Sequence, residues 1–446
     1  MATADRVAPE ETEAEKTQPI QVHESWLPDG HPLYRPRHSS RQRTALVSAA
    51  VFFLVPILAF VFGAHPPAFE NRPLATFPSL TDGWGLFTGM SAWATDHLAF
   101  RQAGVLAEDE ISRRVFGELA PRSQTDSGTP IGPVPGDSSG AGRGDRQLRA
   151  EDFPPVIQGR DGWLYLGQDV SYKCLPERGL DEVIASLREL RSVVERSGRD
   201  FELVIPPDKS TMVPEHLPAS YAGQRCRQEL TERFWPRVIS AAGAIDLRPA
   251  LRAGSARIGR PLYDPNDTHW TYDGGLVMTY ALAQRLHAGI TASWMVRKTD
   301  HEPWPADIPP LLGRSVQRSL QAYSLAPDGH TNLAHYVASD FRSPLRLDSP
   351  GNRGVRGVVD SPVGMIADSF SQFASPFLAA AFSDITIVHP ETVAADPTRY
   401  AREVLADKKV VVLELAERNA AGGQSPLLRP DVIEAIGRVL FHHRVK

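Results

Sequence analysis

The sequence predicts an α/β protein, a parallel sheet flanked by helices, preceded by one N-terminal transmembrane helix. Two observations carry this. Short apolar runs alternate with helical periodicity from about residue 156 onward, the pattern of buried strands separated by crossover helices. Near the N-terminus, residues 45–64 carry no charged side chain and have the roughly twenty-residue length that spans a hydrocarbon core.

Residues 1–44, rich in Glu, Pro, Arg and His and without apolar periodicity, read as a disordered cytoplasmic tail. Pro56 interrupts the apolar run, but proline is tolerated in spanning helices. Arg35, Arg37, Arg41 and Arg43 precede the run and the next basic residue is Arg72. The positive-inside rule therefore keeps the N-terminus cytoplasmic and translocates the chain beyond the run, giving a single-pass cell-membrane protein with an extracytoplasmic domain. A cleaved signal peptide is the alternative, disfavoured by the run's length and its distance from Met1.

Residues 65–120 form a membrane-proximal segment joining the domain, with a helical pattern at 102–116. From 121 to 150 the chain is Gly, Pro, Ser, Asp and Arg with almost no large apolar residue, a flexible linker or insertion. The main domain is expected over 151–446. It opens with two short strands about the Asp161-Gly162 turn. Helical patterns at 180–197 and 229–242 precede apolar runs at 201–205 and 244–247, and further runs fall at 362–367, 385–388 and 410–415, with a helix at 373–382. Residues 304–356 break the alternation, leaving an irregular excursion, a β-rich insertion or a lid all open.

At 446 residues, 42% hydrophobic and 23% charged with net charge −5, the chain is long enough for a large core and lacks the basic footprint of a nucleic-acid binder. The two cysteines, Cys174 and Cys226, both fall beyond the apolar run. In an oxidising compartment they read as one disulfide, with two buried thiols as the alternative. The fourteen histidines are scattered without a His-Glu-x-x-His or paired Cys-x-x-Cys pattern, so no metal site is expected, and no phosphate loop or other cofactor motif occurs.

Ligands of such sheets bind beyond the carboxyl ends of the strands, which singles out two fragments. The run 362–367 ends in Asp368-Ser369-Phe370. A serine hydroxyl there meets backbone N–H groups able to hold an oxyanion, although Asp368 or Ser369 equally serves as a helix cap. The second fragment is Asp267-Thr268-His269-Trp270, ahead of a helical pattern. In extended backbone Asp267 and His269 share a face, so the acid can orient the imidazole for proton transfer. A surface loop capping the next helix is the plainer reading. Together the fragments supply nucleophile, base and orienter for acyl transfer.

The Asp267-Thr268-His269-Trp270 block upstream of Asp368-Ser369-Phe370 resembles the alginate O-acetyltransferase (AlgX/AlgJ) branch of the SGNH hydrolase-like superfamily. Also similar in order are Glu70-Asn71-Arg72, the stretch Asp96 to Arg101, Gly159 to Leu164, Pro207-Asp208-Lys209, Val213-Pro214-Glu215, and Glu414 with Glu417-Arg418. The resemblance implies an SGNH hydrolase-like sheet and a Ser369/His269/Asp267 triad in which Ser369 carries a transient acetyl ester. It also implies a polysaccharide acceptor and a multi-pass membrane acyltransferase as the source of acetyl groups. Ala367 stands where the family commonly has glycine, and no Gly-x-Asn-Asp block supplies a second oxyanion donor. Lys209, Asp368, Trp270 and Arg418 are expected near the site, Lys209 and Arg418 equally as ion-pair members. An acetyl esterase with the same triad, and a non-catalytic glycan-binding scaffold, are the competing functions.

Overall fold

The protein is described from a computed structural model over residues 40–64, 76–79, 85–99, 148–337 and 339–445, with His31 and Ala107. The tail expected over 1–44 and the linker expected over 121–150 lie almost wholly outside these residues, as do most of 65–120 and its expected helix. The chain divides into two compact units, one of residues 1–67 with 74–101, the other of 68–73 with 102–446.

In the first unit, helix α1 spans Ser40–Val61 and α2 spans Gly85–Asp96. Within α1 the stretch Arg43–Val61 is long and apolar enough to cross a membrane. Its large side chains, Phe52, Phe53 and Leu46 among them, are exposed, as suits a helix whose solvent is lipid rather than protein. Phe60 meets Trp93 of α2 edge-on at 5.6 Å, and Trp93 stacks on His97 at 5.0 Å.

The second unit begins with strands β1 (Val156–Gln158) and β2 (Leu164–Leu166), an antiparallel pair turning through Asp161 and Gly162, both at positive φ. Helices α3 (Gln168–Cys174) and α4 (Leu180–Glu195) lead to β3 (Asp200–Val204). Helix α5 (Gln224–Ala242) ends at Gly243 in the left-handed region and delivers β4 (Ala244–Ile245). Helices α6 (Arg248–Ile258) and α7 (Tyr272–Leu286) come after it. Next are β5 (Met295–Pro305), β6 (Gln317–Ala326), β7 (Leu345–Asp348), β8 (Val363–Ile366), helix α8 (Ser375–Ala381), β9 (Asp384–Val388), β10 (Val410–Glu414) and helix α9 (Pro430–His442).

Six strands form one sheet in the order β4-β3-β10-β8-β9-β7. Neighbours from β4 to β9 run parallel, while β7 joins β9 antiparallel at the edge. The parallel sheet expected is present across five strands, and one antiparallel strand at its edge makes the whole sheet mixed. The antiparallel edge is β7, which comes from the 304–356 segment and leads to the next strand, β8, with no α-helix between them, whereas the parallel pairs of the sheet need crossover connections. The same segment also supplies β6, which pairs with the preceding β5 as a long antiparallel ribbon, the rest of it being irregular or in short 3-10 turns.

Strands β8, β9 and β10 are buried at every residue, as continuous apolar strands must be when helices cover both faces. Alternation divides them between two cores. Val363, Met365, Ile385, Val410 and Val412 face Met278 and Leu282 of α7 and Phe377 and Leu378 of α8. Ile366, Val388, Val411 and Leu413 face Leu187 and Leu190 of α4, Phe234 and Val238 of α5 and Ile436 and Leu440 of α9. Each such side chain contributes about 1.5–3 kcal/mol of burial free energy. The expected helix at 373–382 is shortened: Ser369–Phe373 forms a tight 3-10 turn and α8 starts at Ser375.

Candidate active site

The loop between α6 and α7 is pinched at its base, where Tyr263 and Trp270 bridge antiparallel and Thr271 N–H donates to Leu262 O at 2.8 Å. Asp267 and His269 sit at its bent tip, not on the extended backbone expected. They meet because the bend turns both inward: Asp267 Oδ1 accepts from His269 Nδ1 at 2.8 Å and from the His269 backbone N–H at 2.9 Å. With Nδ1 donating, Nε2 is left to accept, and Ser369 Oγ lies 2.7 Å from it. This is an unbroken hydroxyl, imidazole and carboxylate line.

Ser369 occupies the first position after Asp368 beyond the carboxyl end of β8. Asp368 caps its turn, accepting from Phe370 N–H at 3.1 Å with Oδ1 and from Ala416 N–H at 2.7 Å with Oδ2. Glu414, at the end of β10, receives Asp368 N–H at 3.0 Å and Ser371 Oγ at 2.8 Å. Burial, and then the charge of Asp368, raises Glu414 well above the ordinary carboxylate range. Trp270 locks the two fragments together, donating Nε1–H to Phe370 O at 3.0 Å and meeting its ring edge-on at 5.0 Å. Gly275 in α7 completes the apposition, since a Cβ there would lie 2.0 Å from Phe373 O.

Two residues of the site gave no signal in the sequence, and both come from the β5–β6 insertion. Arg318 Nη2 lies 2.7 Å from Asp267 Oδ2 with both side chains almost fully buried. Asp307 donates its backbone N–H to Asp267 Oδ2 at 3.2 Å, accepts Thr268 N–H at 2.7 Å with Oδ1, and holds Oδ2 3.4 Å from His269 Nδ1. Burial alone would raise Asp267, but the hydrogen bond and charge of His269, with Arg318, bring it down to about 2. Burial and the neighbouring Asp267 charge push Asp307 up to about 6. Ligand atoms of Asp267, His269 and Asp307 lie within 4.8 Å of one another. Arg318 and the surrounding N–H groups already engage the Asp267 oxygens, so the cluster reads as hydrogen-bonded acids beside an imidazole. A carboxyl whose folded pKa is raised stabilises the fold below its unfolded value and loses that contribution as pH rises to the folded one. Asp307→Asn is therefore expected to flatten the fall in melting temperature between about pH 4 and 6, checked by thermal melts across that range. An unchanged slope would remove Asp307 as its source.

Lys209 is buried close to the loop but does not point at Ser369. Its Nζ donates to the carbonyls of Asp264, Pro265 and Asp267 at 3.1, 3.2 and 2.6 Å and lies over the Tyr165 ring at 5.2 Å. It clamps the backbone that carries the acid, and burial lowers it to about 8. Arg418 lies over the Phe370 ring at 5.6 Å and pairs with Asp208 and Asp169 at 3.5 and 3.7 Å. Lys173 completes this buried cluster, 2.8 Å from Asp208 and 2.7 Å from Glu417. Burial and the neighbouring Asp169 push Asp208 up to about 8, against the pull of Lys173 and Arg418. Cys174 and Cys226 are bonded, with Cα atoms 5.2 Å apart, tying α3 to α5.

Residues 156–310 match the family model of the SGNH hydrolase-like domain of acetyltransferase AlgX. The span includes Asp267, His269 and Asp307 and ends before Ser369. The probable alginate O-acetylase AlgJ of Pseudomonas putida is 28% identical over 301 residues, covering 64% of this chain and 72% of that protein. Its namesake from Pseudomonas syringae pv. tomato is 30% identical over 188 residues, 41% of each chain. Among solved structures, the O-acetyltransferase domain of Pseudomonas putida AlgJ is similar at 19% identity and TM-score 0.41, covering 64% of this chain and 98% of that one. Pseudomonas aeruginosa AlgX is similar at 16% identity and TM-score 0.41, covering 63% and 66%.

Proposed function

We propose that this AlgX/AlgJ-like chain is a membrane-anchored, extracytoplasmic O-acetyltransferase that acetylates hydroxyls of a cell-surface or secreted polysaccharide through an acetyl ester on Ser369. The single observation that carries the reading is the 2.7 Å contact between Ser369 Oγ and His269 Nε2, with Asp267 behind the ring. In the first half-reaction Oγ attacks the acetyl carbonyl of the donor and its proton passes to Nε2. The tetrahedral oxyanion is held by backbone N–H at the start of the Ser369 turn, and the leaving group takes the proton from Nε2 as it departs. In the second half an acceptor hydroxyl gives its proton to Nε2 and attacks the ester, and that proton returns to Oγ as the acetylated sugar leaves. Asp267 stays ionised throughout, stabilising the imidazolium.

Trp304, 5.3 Å from the Phe373 ring that abuts His269, and Tyr336, 6.0 Å from Trp304, offer apolar ring faces of the kind that suit a sugar. The arginines before the apolar helix favour a cytoplasmic N-terminus by the positive-inside rule, and the bonded cysteines agree with an oxidising compartment outside it. A multi-pass membrane acyltransferase is the proposed source of the acetyl groups.

The same triad performs hydrolysis if water takes the acceptor's place. The discriminating assay incubates full-length protein in detergent with a chromogenic acetyl ester, with and without oligosaccharides. Acetylated sugar formed at the expense of free acetate supports the transferase. Hydrolysis undiminished by any acceptor makes the protein an esterase, and no turnover of any ester leaves only the glycan-binding scaffold.

A further inference from the structure

We propose that Arg318, on strand β6 of the insertion, is a positioning residue for the catalytic pair: its buried guanidinium fixes Asp267 Oδ2 and so reserves Oδ1 for the His269 imidazole. The inference rests on the triad reading above.

A carboxylate can rotate and exchange its oxygens, and an imidazole held by a rotating partner loses its tautomer and aim. Here the two oxygens are not equivalent. Oδ2 faces Arg318 Nη2 at 2.7 Å and receives Asp307 N–H at 3.2 Å, while Oδ1 receives both N–H groups of His269. The side chains of Arg318 and Asp267 are 2% and 1% exposed, so separating the pair would leave a buried charge uncompensated, a strongly unfavourable state. The guanidinium is also held in place by the Phe373 ring, with its carbon 5.5 Å from the centroid, and the same ring leans on His269 at 5.6 Å. β6 carries Arg318 opposite Trp304 of β5, two residues before Ala306 leads into Asp307. The 304–356 insertion is therefore part of the site: it supplies both groups that engage Asp267 Oδ2.

The test measures steady-state kinetics of full-length protein with a chromogenic acetyl ester, normalised to folded protein by thermal melt. Arg318→Met is expected to lower kcat on the order of 10- to 100-fold, the effect typical of losing the group that orients an imidazole's partner, with KM for the ester unchanged. Arg318→Lys, which keeps a cation at Oδ2, is expected to recover most of kcat. In an Asp267→Asn background, which removes the buried negative charge and spares the fold the imbalance, Arg318→Met is expected to cost less than about 3-fold more, because partners acting through one another are not additive. Wild-type kcat in folded Arg318→Met, or the full loss recurring in the Asp267→Asn background, would overturn the proposal. Ser369→Ala run alongside separates the two levels: its full activity would sink the triad itself, whereas its inactivity beside an unaffected Arg318→Met sinks only the positioning role.

Discussion

Ser369→Ala is expected to lower kcat for acetyl transfer by roughly ten-thousand- to a million-fold, the range for removing a nucleophile from a working triad. The size comes from what the hydroxyl does: without Oγ no ester forms, and the base at Nε2 has nothing to deprotonate but water. The fold should hardly register the change. Ser369 is half-buried, and its turn is secured by the Asp368 cap and by Glu414 receiving Ser371, none of which involves the Ser369 side chain. A melting temperature within a degree or two of wild type, with acetylation absent in a deletion background, is the expected pair of results. A folded variant that restores full acetylation would remove Ser369 from the chemistry.

The largest effect on stability is expected away from the nucleophile, at Lys173. Its ammonium sits fully buried between Asp208 and Glu417, and Glu417 also receives Asp208 N–H at 2.9 Å and Thr211 Oγ1 at 2.9 Å. This cluster joins α3 to the turn after β3 and the turn after β10, beneath the sheet edge where Lys209 and Arg418 begin their own contacts. Lys173→Met leaves Arg418 as the cluster's one cation facing three buried carboxyls, and the loss is expected at about 3–5 kcal/mol, as for other buried pairs broken from one side. Urea unfolding of the full-length protein in detergent would read it as a lower midpoint at unchanged slope. A loss under about 1 kcal/mol would mean that water reaches the cluster when the lysine is gone.

What the sequence revealed and what it hid divide along a physical line. Strands β8, β9 and β10 were legible because both faces are covered and their residues form unbroken apolar runs. Helix α4 was legible because Leu180, Val183, Ile184, Leu187, Leu190 and Val194 recur at the helical period. Ser369 and the Asp267/His269 pair stood at strand ends and helix starts, where open α/β sheets bind ligands. Arg318 and Asp307 carried no such mark. Each acts through a contact between segments about 40 to 50 residues apart, and a polar residue that meets its partner only in three dimensions leaves no period or motif. Lys209 was recognisable as close to the site, but its direction depended on loop carbonyls that no sequence pattern encodes. The edge strand β7 escaped for a similar reason: four residues alternating between half-buried and exposed look like a loop until β9 gives them a partner.

The serine acetyl-enzyme is tested most directly by the mass of the protein itself during turnover. Full-length protein mixed with an acetyl ester, quenched in acid within the first turnovers and digested, is expected to carry one acetyl group on the peptide containing Ser369. Adding acceptor oligosaccharide before the quench should discharge it. An acetyl group accumulating on any other residue, or transfer proceeding at full rate with Ser369 never modified, would contradict the serine acetyl-enzyme.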